Sequence, residues 1–219
     1  MHSLRAQLFL TAFLLCLVAS PALAECPYCY REGSLSAYSD GRMFCVTCLK
    51  NNVFTEEVAT PLRWEVETFL TTHFGNNRYA VSFTLYDEPE FEVFRKRSRL
   101  GKSIQGIYMN RERTVTVKSG LAPLNFQGLL VHESTHAWQH QFCPKQDLAL
   151  SEGFASLMQY RFIASHKGPK WLLQSLENDP DPNYGASLKK LLKKEKELGL
   201  FPLIDKVQKS KTLAEALAH

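Results

Sequence analysis

Phe126-Gln127-Gly128-Leu129-Leu130-Val131-His132-Glu133-Ser134-Thr135-His136-Ala137-Trp138 is the stretch that decides how this chain is organised. Its apolar pattern predicts a helix over Phe126 to Trp138, and His132 to His136 within it spells H-E-x-x-H. One helical turn separates residues four apart, so both imidazoles leave the same face and can grip one Zn²⁺. Glu133 then lies beside the metal, where a carboxylate can take a proton from bound water. With 7 His and 22 acidic residues in 219, a shuffled chain spells this motif in roughly 2% of cases, so context has to carry the rest.

A catalytic zinc needs a third protein ligand and an open position. The metzincin pattern requires a glycine where this chain has Gln139 and a histidine where it has Phe142, which excludes that class. Leu148 to Ile163 reads as a second helix, with Leu150, Phe154, Leu157 and Met158 at apolar spacing. The loop through Cys143-Pro144 lets this helix return antiparallel and bring Glu152 to the metal. The plain alternative is a carboxylate that only favours the helix dipole; the need for a third donor favours the ligand. Gly153, next in sequence, lets the two helices approach closely. His140 continues the row of His132 and His136 and reads as a surface histidine one turn beyond the metal, with support of a ligand as the alternative. Trp138 reads as core. Tyr160, His166 and Tyr184 are candidates for stabilising an oxyanion, each with a plain structural reading beside it.

Cys26-Pro-Tyr-Cys29 and Cys45-Val-Thr-Cys48 are two C-x-x-C knuckles at the spacing of a four-cysteine zinc ribbon or half of a LIM domain. Gly33, Gly41 and the polar residues around them suit an intervening hairpin. The same cysteines can close as two disulfides in an oxidising compartment. Either staple is structural, since four protein ligands leave no position for water. Cys143 is unpaired and reads as a buried thiol.

Compartment is suggested by the N-terminus. Arg5, the apolar run Leu8 to Val18 and Ala22-Leu23-Ala24 form an export signal over residues 1–24, which takes Cys16 with it and leaves a mature chain starting at Glu25. An anchored or lipidated form through Cys26 is the rival; Glu25 is a poor neighbour for that processing. The net charge of +4, about +3 without Arg5, is too mild to imply nucleic acid. No stable membrane anchor is expected. Arg95-Lys96-Arg97 with Arg99, and Lys189 to Lys196, read as solvated faces; Leu188, Leu191, Leu192 and Leu198 form the buried stripe of the second run.

Coarse elements follow from periodicity. Glu56 to Phe74 reads as a helix with Val58, Leu62, Val66, Phe69 and Leu70 on its buried side and Pro61 in its first turns. Tyr79 to Tyr86, Ile104 to Met109 and Thr114 to Val117 read as strands, with a turn over Asn110 to Arg113, and helices dominate thereafter. This is an α+β pattern with a small antiparallel sheet. The organisation is a signal over 1–24, a four-cysteine module over 25–54 and a catalytic domain over 55–219.

The chain resembles the LIM-domain-associated zinc peptidases of the plant organ-size-regulator type, in a short exported bacterial form. The resemblance runs from the cysteine knuckles through Gly106 to Gly120, and its most telling residues are Ser119-Gly120-Leu121, Leu130-Val131-His132-Glu133, His136-Ala137-Trp138 and Glu152-Gly153. It implies a zincin-like, minimal gluzincin fold whose edge strand beside the metal takes an extended peptide, with His132, His136 and Glu152 on a catalytic zinc, Glu133 as base and Cys26, Cys29, Cys45 and Cys48 on a structural zinc. The expected function is hydrolysis of protein or peptide substrates. The cytoplasmic members' ubiquitin-dependent activation is not carried over, and the cysteine region is shorter than a full LIM domain and lacks its usual histidine. The alternatives are a non-catalytic zinc-stabilised interaction module, a protease acting on DNA-bound proteins, which export, weak charge and the N-terminal ribbon oppose, and a disulfide-stapled secreted domain with incidental histidines.

Overall fold

Residues 24–75, 81–101 and 104–218 are described in this computed structural model. The expected signal up to Leu23, with Cys16, lies outside them, as do Tyr79 and Ala80 at the start of an expected strand. The class is α+β.

Two short antiparallel hairpins come first: β1 (Ala24–Glu25) with β2 (Glu32–Gly33), and β3 (Leu35–Ala37) with β4 (Met43–Cys45). Helix α1 (Val46–Asn51) follows β4 directly. Phe44 is fully buried here, stacked on Tyr28 at 4.1 Å and edge-on to Phe54 at 5.0 Å, and with the cysteines it forms a small core of its own. Arg42 clamps this unit to the rest of the chain. It pairs with buried Asp40 at 2.5 Å and donates to the Ser119 carbonyl at 2.6 Å and hydroxyl at 2.9 Å. Asn52 Nδ2 donates to the Gly120 carbonyl at 2.8 Å, and the Val53 N–H to that of Leu121 at 2.8 Å. The cysteine unit therefore rests on the turn that leads into the H-E-x-x-H helix.

Helix α2 (Glu56–Phe74) has the expected bounds. Thr55 caps it, and Glu56 and Glu57 favour its N-terminal dipole. It buries Ala59, Val66, Leu70 and Phe74, with Leu62 and Phe69 packed at the margin. Val58, expected inside, is 44% exposed because the first turn overhangs the core. Strand β5 (Ser82–Tyr86) leads into α3 (Glu88–Arg97), a helix absent from the sequence reading. Asp87 and Glu90 form its reciprocal capping box.

Strands β6 (Gly106–Met109) and β7 (Thr114–Lys118) complete a three-stranded sheet in the order β5-β7-β6. The expected antiparallel pairing holds between β6 and β7; β5 joins β7 in parallel, which the crossover through α3 permits. Central β7 buries Val115, Thr116 and Val117, so both of its faces are covered, and β6 is left at an edge.

The rest is helical: α4 (Pro123–Phe142), α5 (Leu148–Ser165), α6 (Lys170–Glu177), a single π-helical turn over Pro182–Ala186, α7 (Ser187–Leu198), α8 (Leu200–Lys209) and α9 (Leu213–Leu217). Trp138 is core, as expected, stacked on Phe74 at 4.4 Å. Both basic runs are only partly solvated. Arg95 is buried, bonded to both Glu92 carboxylate oxygens and to the Leu100 carbonyl. In α7 Lys189, Lys190, Lys193 and Lys196 are exposed, but Lys194 and Glu195 are buried, paired with Glu197 and Arg161. A charged side chain can line a helix margin when a partner meets it there. No helix among the described residues is long and apolar enough to cross a membrane.

Candidate metal centres

Pro123 opens α4 at a position where its missing N–H costs nothing. From Phe126 to Gln139 the helix is buried nearly all round, packed between α2, α5 and strands β6 and β7. His132 and His136 therefore leave the helix inside the protein. Their Nε2 atoms lie 3.2 Å apart. Asp147 caps α5 through the Leu150 N–H, and Glu152 sits in the first turns of that helix. Its Oε2 is 3.2 Å from His132 Nε2 and 3.3 Å from His136 Nε2. The three donors make a nearly equilateral triangle. A tetrahedral ion with bonds of about 2.0–2.1 Å needs ligand atoms about 3.3 Å apart, so this donor set fits a metal without rearrangement. The expected convergence of His132, His136 and Glu152 is present.

The triangle opens on a cavity of about 280 Å³ bordered by Gly106, Ile107 and Tyr108 of β6, by Glu133 and by Tyr184. Glu133 is buried, and its Oε2 accepts the Tyr108 N–H at 2.8 Å. A backbone amide of the edge strand thus holds the carboxylate beside the donors, a contact the sequence reading did not include. Of the three oxyanion candidates only Tyr184 is here: its ring lies parallel to that of His132, centroids 5.9 Å apart. Tyr160 packs at the core margin, His166 stacks on Phe162 at 4.1 Å, and neither lines the cavity. His140 is exposed, with its ring 5.8 Å from that of Tyr108.

Charge couples the three donors. Burial alone would raise the Glu152 carboxyl, but hydrogen bonds to His132 and His136 hold it well below the usual carboxylate range. Burial would lower His136, yet the Glu152 contact and the Glu133 charge raise it above its ordinary value. Burial and the Glu152 charge push the Tyr184 phenol upward, keeping it a proton donor.

Gly153 fits the sequence reading only in part. A Cβ there would stand 2.5 Å from Ser187 Cβ, so the close approach is between α5 and α7; α4 and α5 meet closely at Gly128 instead, where a Cβ would lie 3.0 Å from Ile163 Cδ1. Gly153→Ala gains about 1 kcal/mol of helix propensity, while overpacking against a rigid Cβ costs up to about 3 kcal/mol. A net loss of about 2 kcal/mol in urea unfolding is expected; a stabilised variant would contradict the tight α5–α7 contact.

Cys26, Cys29, Cys45 and Cys48 form the second group. Cys26 and Cys48 Sγ lie 3.8 Å apart, Cys29 and Cys45 Sγ 3.6 Å. The edges of a thiolate tetrahedron with bonds of about 2.3 Å are about 3.8 Å, so this set also suits a metal ion. Burial opposes the Cys26 thiolate, but backbone hydrogen bonds from Cys45, Tyr28 and Cys29 bring it down to about 6. Cys143 is half-buried, and burial pushes it up to about 12, an inert thiol.

Compared with known protein families, with curated proteins and with solved structures, the chain matches none.

Proposed function

We propose that this chain is a zinc-dependent metallopeptidase of minimal gluzincin type, an exported relative of the LIM-domain-associated zinc peptidases, organised as a signal over 1–24, a four-cysteine zinc module over 25–54 and a zincin-like catalytic domain over 55–219. The observation that carries this reading is the donor triangle of His132, His136 and Glu152 at 3.2–3.3 Å, with Glu133 held beside it by the edge strand. A zinc ion held by these three would act as a Lewis acid towards a scissile carbonyl and lower the pKa of a water towards about 7.

The chain's own groups do the remaining work. Glu133 takes the proton of the attacking water and returns it to the leaving amine. The Tyr108 N–H, by holding one oxygen of that carboxylate, keeps it aimed into the cavity. The Tyr184 hydroxyl donates a hydrogen bond to the developing oxyanion. Substrate enters as an extended peptide along β6, whose outer edge borders the same cavity, so main-chain hydrogen bonds give affinity without sequence selectivity. A non-catalytic zinc scaffold explains the three ligands but gives Glu133 only the Tyr108 N–H to hold, a task that needs no carboxylate beside the donors.

Metal analysis with peptide cleavage tests the proposal. The mature chain should carry two zinc ions and cut peptides from a proteome digest, losing that activity to a chelator. One ion per chain, with cleavage retained, would assign disulfides to the four cysteines. Absence of metal, or full cleavage without it, overturns the peptidase reading.

A further inference from the structure

We propose that two side-chain amides, Gln139 and Gln146, act as positioning residues that set metal affinity by fixing the tautomer of His136 and tying both metal-binding helices to the end of α8. This rests on the metal-binding reading of His132, His136 and Glu152. His136 turns Nε2 towards the other two donors, at 3.2 and 3.3 Å, so a ligating His136 must carry its proton on Nδ1. Nδ1 lies 2.8 Å from Gln139 Oε1, which accepts that proton.

Everything beyond then has one direction. With its oxygen committed to His136, Gln139 donates through Nε2 to Gln146 Oε1 at 3.0 Å and to the Ser151 carbonyl at 3.1 Å. Gln146, accepting there, donates through its own Nε2 to the carbonyls of Val207 at 2.8 Å and Ser210 at 3.3 Å. Each amide nitrogen has two protons, and each meets two acceptors. Flipping either amide would face a donor with a donor and leave backbone carbonyls against oxygen. Gln139 is 5% exposed, and its burial strengthens these bonds relative to the same bonds in water.

Two consequences follow. The Nε2–H tautomer of His136 would put a proton where the metal must sit, and it would leave Gln139 Oε1 with only the longer 3.4 Å bond from the Ser151 hydroxyl in place of the 2.8 Å contact to Nδ1. Gln139 also lies on α4 but holds the carbonyl of Ser151, the residue preceding Glu152 on α5. One amide therefore governs the spacing between an imidazole and a carboxylate that come from different helices. Gln146 and its neighbour extend the anchor: the Asp147 N–H donates to the Lys211 carbonyl at 2.7 Å, and Asp147 Oδ2 accepts the Leu213 N–H at 3.3 Å. The donor triangle is thereby referenced to the C-terminal helices.

The test is a zinc titration of the full chain against a competing chelator, with the cysteine site left loaded and His132→Ala supplying its background. Wild type should show one competable site; if it shows none, the metal-site reading itself fails, separately from this proposal. Gln139→Ala should bind zinc about 10–100-fold more weakly, and Gln146→Ala, which touches no ligand, several-fold more weakly. Leu203→Ala truncates the buried face of α8 without touching either amide, and its zinc affinity should equal wild type. Zinc affinities of Gln139→Ala and Gln146→Ala within about twofold of wild type would overturn the proposal. So would equal weakening by Leu203→Ala, which would reduce the amides to general stability. Should Gln139→Ala not fold, Gln146→Ala against Leu203→Ala decides alone.

Discussion

Replacing Glu133 with glutamine is expected to leave both metal sites loaded and to slow peptide hydrolysis about 10²–10⁴-fold. The side chain is not part of the donor triangle, whose three atoms come from His132, His136 and Glu152. Glutamine is isosteric and keeps an oxygen to accept the Tyr108 N–H, now 2.8 Å from Glu133 Oε2, so neither β6 nor α4 has reason to move. What disappears is basicity: an amide cannot take a proton from water at neutral pH. The loss should fall on kcat, with KM little changed, because Glu133 acts on the water rather than on the bound peptide. Turnover of a fluorogenic peptide with metal analysis on the same sample checks it. Wild-type turnover would remove Glu133 from the chemistry, and loss of the metal would recast it as part of the site's frame.

How much of this was legible in the chain follows from the range over which each feature is encoded. H-E-x-x-H and the C-x-x-C knuckles are local, fixed by helix pitch and by tight turns, and their residues converge as the spacing implies. Glu152 was reachable by elimination, since a third donor was needed and a returning helix offered one. The bounds of α2 follow from Thr55, the two glutamates after it and its apolar rows. Helix α3 was also written locally, in the Asp87–Glu90 capping box, but its charged face hid the apolar positions Phe91 and Phe94. The parallel entry of β5 depends on that helix as a crossover, so missing one obscured the other. The burial of Lys194 and Glu195 depends on which neighbour covers α7, which no periodicity records. Gln139 and Gln146 carry no motif either; an amide's role is set by what surrounds it. Tyr184 stood level with Tyr160 and His166 because its approach requires the π-helical turn after α6 to bring it against His132, more than fifty residues earlier in the chain.

That placement makes Tyr184→Phe the second decisive variant. Phenylalanine keeps the ring parallel to His132 and removes only the hydroxyl, so the fold and the 5.9 Å stack should survive. Two roles for that hydroxyl make different forecasts. It shares the cavity with Glu152, whose charge acts on it, and one role is that it merely steadies a ligand. In that case the variant should bind zinc more weakly, and saturating zinc should restore turnover. Alternatively it donates to the oxyanion that forms as water adds to the carbonyl. Then kcat should fall about 10²–10³-fold, with zinc affinity and KM near wild type, as for removal of one preorganised oxyanion donor. Two observations favour the second outcome. Glu152 already has two imidazole partners at 3.2 and 3.3 Å, so its position does not depend on a phenol. Burial and the Glu152 charge also raise the Tyr184 pKa above its ordinary 10.0, which keeps the proton available throughout the neutral range. Wild-type kcat in Tyr184→Phe would move oxyanion stabilisation to a different donor, and a β6 backbone N–H on the cavity rim other than that of Tyr108, which Glu133 accepts, would be the next to test.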